Sequence, residues 1–308
     1  MNRLHDAVDD YLVIRRALGF KLERHDRFLH AFVDYLATAG SDVITIDLAV
    51  AWATQPADAD SCWWATRLSV IRSFASHQHG LDPRTQVPPA DLMPGRSRRA
   101  EPFLYTNDQV TALLQAAGAL KHPLMAATYT ALIGLLAVTG MRVGEAIRLD
   151  RTDIDRASGL LTIRDTKFGK TRQIPLHPTT LAALDTYANL RDRHPETGRT
   201  SAWFSSTVGT RLIYKNVHCC FHQLTISAGI QPRSPRCRPR IHDLRHRFAT
   251  ATLTNWYADG QPIDCRLPLL STYLGHVSPA STYWYLTATP ELLELAMNRL
   301  GHAHEVLP

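Results

Sequence analysis

The chain has 308 residues, 45% of them hydrophobic and 20% charged, which suits a globular protein of one large or two ordinary domains. No run approaches the roughly 18 apolar residues of a membrane span, and the first 30 residues lack the basic, apolar, then small layout of a secretory leader, so a cytoplasmic protein is expected. The net charge is +6, with five cysteines and no C-x-x-C spacing, which points to a reduced chain.

Residues 3–80 read as four helices. "RLHDAVDDYLVIRRALG" stops at Gly19, and "LERHDRFLHAFVDYLATAG" carries apolar residues at 28, 29, 32, 33 and 36 before Gly40. "DLAVAWATQ" opens with Asp47 as its expected cap, and "SCWWATRLSVIRSFASHQHG" runs from Ser61 to Gly80. Pro83, Pro88, Pro89, Pro94 and Pro102 then exclude helix or central strand, so a linker and domain boundary fall near residues 88–102. Beyond it, "TNDQVTALLQAAG" has Thr106 or Asn107 as cap, and "PLMAATYTALIGLLAVTG" is apolar nearly all round, as a buried helix is. "MRVGEAIRL" reads as a short helix. "GLLTIRDTKFGKTRQIPL" alternates with a period of two, placing strands near 160–164 and 172–176 around a turn at Gly169. Further helices are expected near 178–193, 214–228, 242–257, 266–274, 279–286 and 290–300. The fold class is therefore mainly α, with a small antiparallel sheet in the C-terminal domain.

Charge is unevenly spread. Residues 1–100 hold 12 Lys and Arg against 12 Asp and Glu, whereas the rest of the chain holds 22 against 16. Arg233, Arg236, Arg238 and Arg240 fall within eight residues, and Arg96, Arg98 and Arg99 sit in the proline-rich linker. Clustered arginine fits a phosphate backbone, and the competing reading is a solvated basic face.

Four polar islands interrupt the apolar patterns. They are Arg142 with Glu145 in "TGMRVGEA", Lys167 in "DTKFGKTR", His242 with Arg245 in "HDLRH", and His276 followed by two tyrosines in "LGHVSPASTYWYL". Singly, each reads as a surface pair, a solvated turn or a structural histidine. Together, two arginines, a lysine and two histidines make a site for a phosphodiester, because guanidinium forks match the non-bridging oxygens and offset the charge of a pentavalent transition state. A tyrosine hydroxyl, whose reference pKa is about 10, is a weak nucleophile that such a basic pocket could activate. Consecutive helix positions turn by about 100°, so Tyr283 and Tyr285 face nearly opposite ways and at most one can serve this site.

Taken in order, Arg142, Lys167, His242-x-x-Arg245, Leu274-Gly275-His276 and a tyrosine nine positions further on resemble the tyrosine recombinase, or phage integrase, family, firmly over about residues 103–290. Finer likeness in "STYWYLTATPELLELA" is to recombinases encoded on bacterial transposons. The resemblance implies a two-domain DNA clamp. It would comprise a helical core-binding domain over 1–88, a basic linker over 89–102, a catalytic domain over 103–290 and a tail helix over 291–308 for subunit contact. It also implies roles. Arg142 and Arg245 would clamp the scissile phosphate, His242 would assist proton movement at the nucleophile, and His276 would bond a phosphate oxygen. Lys167 would protonate the departing 5′-oxygen, Glu145 would support the cluster, and Tyr285 would be the nucleophile, with Tyr283 turned away into packing. Arg96, Arg98, Arg99, Lys170, Arg172, Arg236, Arg238 and Arg240 are candidate DNA contacts. The implied activity is site-specific cleavage and rejoining of DNA through a 3′-phosphotyrosine, without metal or other cofactor. The implied assembly is a tetramer on double-stranded DNA, with related recombinases or DNA-bending proteins as further partners. Type IB topoisomerase activity and an inactive DNA-binding subunit are the rival readings. The interval from Arg245 to His276 is long for the family, and a lengthened loop is expected there.

Three other signals fail. "FGKT" has Arg164 where a phosphate loop needs glycine. "DRTDIDRASG" has Ala157 in place of the third calcium ligand and Arg164 where the bidentate glutamate belongs. The four donors of "HCCFH" cannot converge from one helix on a tetrahedral ion.

Overall fold

A computed structural model describes residues 3–94, 101–164, 171–260, 263–287, 292–295 and 297. The chain divides into two compact units, Met1–Arg99 and Ala100–Pro308.

The first unit consists of α1 (Arg3–Ala17), α2 (Glu23–Thr38), α3 (Ile46–Thr54) and α4 (Ser61–His79). Leu29, Phe32, Val33 and Leu36 form the apolar stripe of α2 and are fully buried with Val8, Trp52 and Phe74. The cap of α3 is Thr45, whose hydroxyl accepts from the Leu48 amide at 3.3 Å; Asp47 falls inside the first turn instead. Arg67 of α4 lies 3.6 Å over the Trp52 ring and donates to the Trp52 carbonyl, so its stem serves packing while its charge is met by a π face. The start of the expected linker belongs to this unit. Arg72 donates to the carbonyls of Pro88 and Pro89 at 2.8 and 2.7 Å, and Met93 packs against the core. Arg96, Arg98 and Arg99 lie outside the described residues.

The second unit begins with α5 (Asn107–Gly118), capped by Thr106 in a reciprocal box with Gln109, and α6 (Pro123–Thr139). Then come α7 (Val143–Arg148), a 3₁₀ turn at Arg151–Asp153, and the strands β1 (Ile154–Asp155), β2 (Leu160–Ile163) and β3 (Arg172–Pro175). These form an antiparallel sheet in the order β1-β2-β3, with Leu161 opposite Ile174 and Ile163 opposite Arg172. The two-residue β1 was not expected from the sequence. It pairs Ile154 with Leu161 within an acidic stretch whose carboxylates are all engaged: Asp150 by Arg211, Asp153 by Arg164, and Asp155 by the Ala157 amide.

After α8 (Pro178–Asp192) and α9 (Tyr214–Ser227), α10 (Asp243–Ala258) packs on α6. α11 (Ile263–Leu274), α12 (Ala280–Tyr283) and a 3₁₀ turn at Trp284–Thr287 close the unit. The long interval between Arg245 and His276 is mostly helix: α10 runs to Ala258 and α11 starts at Ile263, and Leu253, Ile263, Leu267 and Leu270 are buried there in a satellite core. Leu292, 1% exposed, joins that core in cis, while Leu293 and Met297 are exposed. Residues 298–308 of the tail, with Leu300, lie outside the described residues.

Candidate active site

Two helix ends build the site's frame. At the end of α11, the His276 amide bonds to the Ser271 carbonyl and the Gly275 amide to the Thr272 carbonyl, both at 2.9 Å. That is a Schellman closure, and it requires the left-handed backbone that Gly275 adopts at φ 68°. The turn projects His276 and leaves the Leu274 and Gly275 carbonyls pointing away from the helix as acceptors. At the end of α6, Gly140 sits at φ 60°, and a Cβ there would meet the Phe248 ring at 2.4 Å. Glycine is thus needed for both backbone and space.

The arginines bridge these ends. Arg245, in the first turn of α10, donates from Nη1 to the Gly140 carbonyl at 2.9 Å, and from Nη2 to the Leu274 carbonyl and His276 Nε2, both at 2.8 Å. Arg142, immediately before α7, donates from Nη2 to the next carbonyl, that of Gly275, at 3.0 Å. Successive carbonyls therefore bring the two guanidinium groups side by side. Arg245 is 2% exposed. Burial pulls its pKa down to about 10; the Tyr285 phenol and Glu145 carboxylate work against that fall, and the neighbouring Arg142 charge adds to it. The group is still a cation at neutral pH.

Glu145 underlies the pair. It receives Arg142 Nη1 at 2.7 Å and the Arg142 amide at 2.9 Å, while Arg172 of β3 reaches both of its oxygens at 2.8 and 3.2 Å. Burial by itself would raise its pKa, but the bonds and charges of Arg172 and Arg142 outweigh it and hold the carboxyl at about 2. The folded form thus keeps this group ionised well below its ordinary value of 4.5. Its stabilising contribution is complete above that value and is lost as pH falls toward 2. A shift of this size corresponds to roughly 3 kcal/mol. Urea unfolding of the wild type is expected to weaken by that order between pH 5 and pH 2 through this group, and Glu145→Gln is expected to flatten that part of the profile.

His276 accepts from an obligate donor at Nε2, so its proton resides on Nδ1 and is donated to the Thr282 hydroxyl at 2.7 Å. Its ring lies nearly parallel to that of Tyr285, with centroids 6.1 Å apart. Tyr285 is 3% exposed, and Tyr283 is 56% exposed. The two do face opposite ways, but Tyr283 points to solvent rather than into packing. His246 contacts Trp284, Tyr285 and His242, at centroid separations of 5.0, 5.5 and 5.0 Å. His242, one residue before α10, is exposed, and its ring contacts that of His246.

The structure thus gathers Arg142, Glu145, His242, Arg245, His276 and Tyr285. Lys167 and Lys170 lie outside the described residues. Arg172 is not an open DNA contact: its side chain is 11% exposed and committed to Glu145 and to the Tyr273 carbonyl at 2.9 Å. The 233–240 cluster is divided. Arg240 is tied to Asp243, and Arg233, though exposed, to the Leu104 carbonyl, holding the segment that enters α5; Arg236 and Arg238 are exposed as well. His246 and Thr282 lie outside the residues that the sequence motifs single out, although His246 stands one turn after His242 in "HDLRH"; Thr282 carries no local signal. Among the described residues no group of three or more His, Cys, Asp or Glu side chains is placed to hold a metal ion, the "HCCFH" stretch of α9 included. No described helix is long and apolar enough to cross a membrane.

A mainly helical fold with a three-stranded sheet, carrying paired guanidinium groups beside an imidazole and a buried phenol, defines a tyrosine recombinase. The sequence profile of the phage integrase family matches residues 104–291, and the chain belongs to that family. It is 44% identical to a Sinorhizobium fredii (strain NBRC 101917 / NGR234) protein assigned as an integrase/recombinase, y4rB, over 99% of both chains. It is 29% identical to the tyrosine recombinase XerD of Caulobacter vibrioides (strain ATCC 19089 / CIP 103742 / CB 15) over 74% of this chain and 72% of that one. Among solved structures, the Tn1549 transposon integrase in complex with transposon right end DNA shares the fold with a TM-score of 0.64. Sequence identity is 17%, and the match covers 96% of this chain and 99% of that chain. As a tyrosine recombinase of this family, the protein is a site-specific recombinase.

Proposed function

We propose that this recombinase cuts and rejoins duplex DNA through a 3′-phosphotyrosine on Tyr285, in the movement of a mobile element. The observation that carries the reading is the burial of the Tyr285 phenol beside Arg245 and His276 while Tyr283 faces solvent. The Tyr285 oxygen attacks phosphorus, its proton leaving by way of His242. The bond from phosphorus to the 5′-oxygen breaks, and Lys167 protonates the departing oxygen. One phosphoester replaces another, so bond energy is conserved and the reverse step rejoins the strand. Three guanidinium groups against one carboxylate leave the cluster with two net positive charges, suited to the doubly negative transition state. Arg142, whose side chain is 34% exposed, forms the open side of the phosphate seat. His276 can donate to a phosphate oxygen from Nε2 once that nitrogen has taken up a proton, because Nδ1 is already committed to Thr282. Exposed Arg236 and Arg238 and the linker arginines would follow the DNA backbone, and the tail beyond Leu292 would link protomers of a tetramer.

The test begins with duplexes enriched from a random-sequence pool by binding to the full-length chain. Two labelled copies of the enriched site are then incubated with the protein. Four-way junctions and exchanged duplexes are the expected products. Relaxed circles alone from a supercoiled plasmid bearing the site would indicate a topoisomerase, and binding without products a DNA-binding subunit.

A further inference from the structure

We propose that Arg172 is a positioning residue of the reaction, a latch that fixes Glu145 and the Leu274–His276 turn to the sheet so that Arg142 and His276 hold their places around the phosphate. The inference rests on the strand-cleavage reading above and adds to it a residue that contacts neither DNA nor phosphorus.

Four observations support it. Arg172 opens β3 opposite Ile163, and strand alternation turns it to the same buried side as Ile174. There its fork takes both oxygens of Glu145, the carboxylate that also receives Arg142 through side chain and amide. Its Nε donates to the Tyr273 carbonyl, one residue before the two carbonyls that anchor Arg245 and Arg142. Finally, the guanidinium lies close against Gly275, where an added Cβ would stand 2.6 Å from Nη1 and 2.9 Å from Cζ. One planar group thus joins the sheet, α7 and the end of α11. Lysine could meet one oxygen of Glu145 but could not match the two-oxygen fork and the Tyr273 bond together. The glycine before His276 therefore has a second purpose besides its backbone angle: it leaves room for this latch. Displacements of about 1 Å in a positioned site cost on the order of 10²-fold in rate, which sets the expected effect.

The experiment measures DNA affinity and, at saturating DNA, the single-turnover rate of covalent attachment to a nicked suicide duplex built on the enriched site. Wild type, Arg172→Ala, Arg172→Lys and the double variant Arg172→Ala/Glu145→Gln are compared, with thermal unfolding as the control for folding. Arg172→Ala is expected to lose about 10²-fold in rate while its affinity stays within about twofold. Millimolar methylguanidinium is expected to recover part of that loss. The double variant is expected to be no slower than the slower single one, since both substitutions open the same joint. If Arg172→Ala does not fold, Arg172→Lys decides: a loss of tenfold or more at unchanged affinity supports the latch, and a wild-type rate overturns it. A loss confined to affinity would also overturn it and make Arg172 a DNA contact after all. Absence of covalent product from the wild type would sink the cleavage reading itself, a separate failure.

Discussion

Tyr285→Phe is expected to abolish covalent attachment to DNA while leaving affinity for the same duplex within about twofold. The substitution removes one oxygen and keeps the ring that packs against His246, Trp284 and His276. Its effect on folding should be about 1 kcal/mol, the size of one hydrogen bond. Loss of a nucleophile lowers catalysis by far more, at least about 10⁴-fold. Denaturing gels of the suicide duplex measure attachment, and a mobility shift of the same duplex measures affinity. Tyr283→Phe, at an exposed position, is the matched control and should attach DNA at the wild-type rate.

Arg245 carries the second large effect. Replacing it with lysine keeps a charge but cannot bridge Gly140, Leu274 and His276 at once. The rate of attachment is expected to fall about 10²- to 10³-fold, as when a donor to developing charge is lost. Arg245→Ala should lose stability as well, because two buried carbonyls would lack a donor at about 1–3 kcal/mol each. Urea unfolding separates the contributions: the alanine variant should unfold earlier, and the lysine variant should lose far more rate than stability.

Much of this architecture can be read from residue spacing. The helices of the first unit, the buried α6 and the β2–β3 pair follow from apolar periodicity and from glycine stops, which act locally. That at most one of Tyr283 and Tyr285 can face the site follows from helical geometry, since the two positions diverge whatever surrounds them; the preference for Tyr285 comes from the resemblance, through its interval of nine positions from His276. Tertiary partners are different. Arg172 sits in a basic stretch, "GKTR", and reads as a phosphate contact; its burial is decided by Glu145, Tyr273 and Gly275, between 27 and 103 positions away. Arg233 and Arg240 also read as a basic surface, and only their bonds to the Leu104 and Glu101 carbonyls, 129 and 139 positions away, show that they tie down the segment entering α5. The start of α11 is expected near residue 266 from the sequence, but the helix begins at Ile263 and accommodates Pro268. Burial of Leu267 and Leu270 rewards the helix there. The proton on His276 Nδ1 depends on Thr282, six residues on, which no local pattern singles out.

The proposed nucleophile toward phosphorus is the phenol held beside Arg245. It is tested most directly by trapping wild-type protein on the nicked suicide duplex, digesting the adduct and sequencing the DNA-linked peptide by mass spectrometry. A single 3′-phosphoryl adduct on Tyr285 is the expected product. A nucleotide found on Tyr283, on another side chain, or joined through a 5′-phosphate would contradict it.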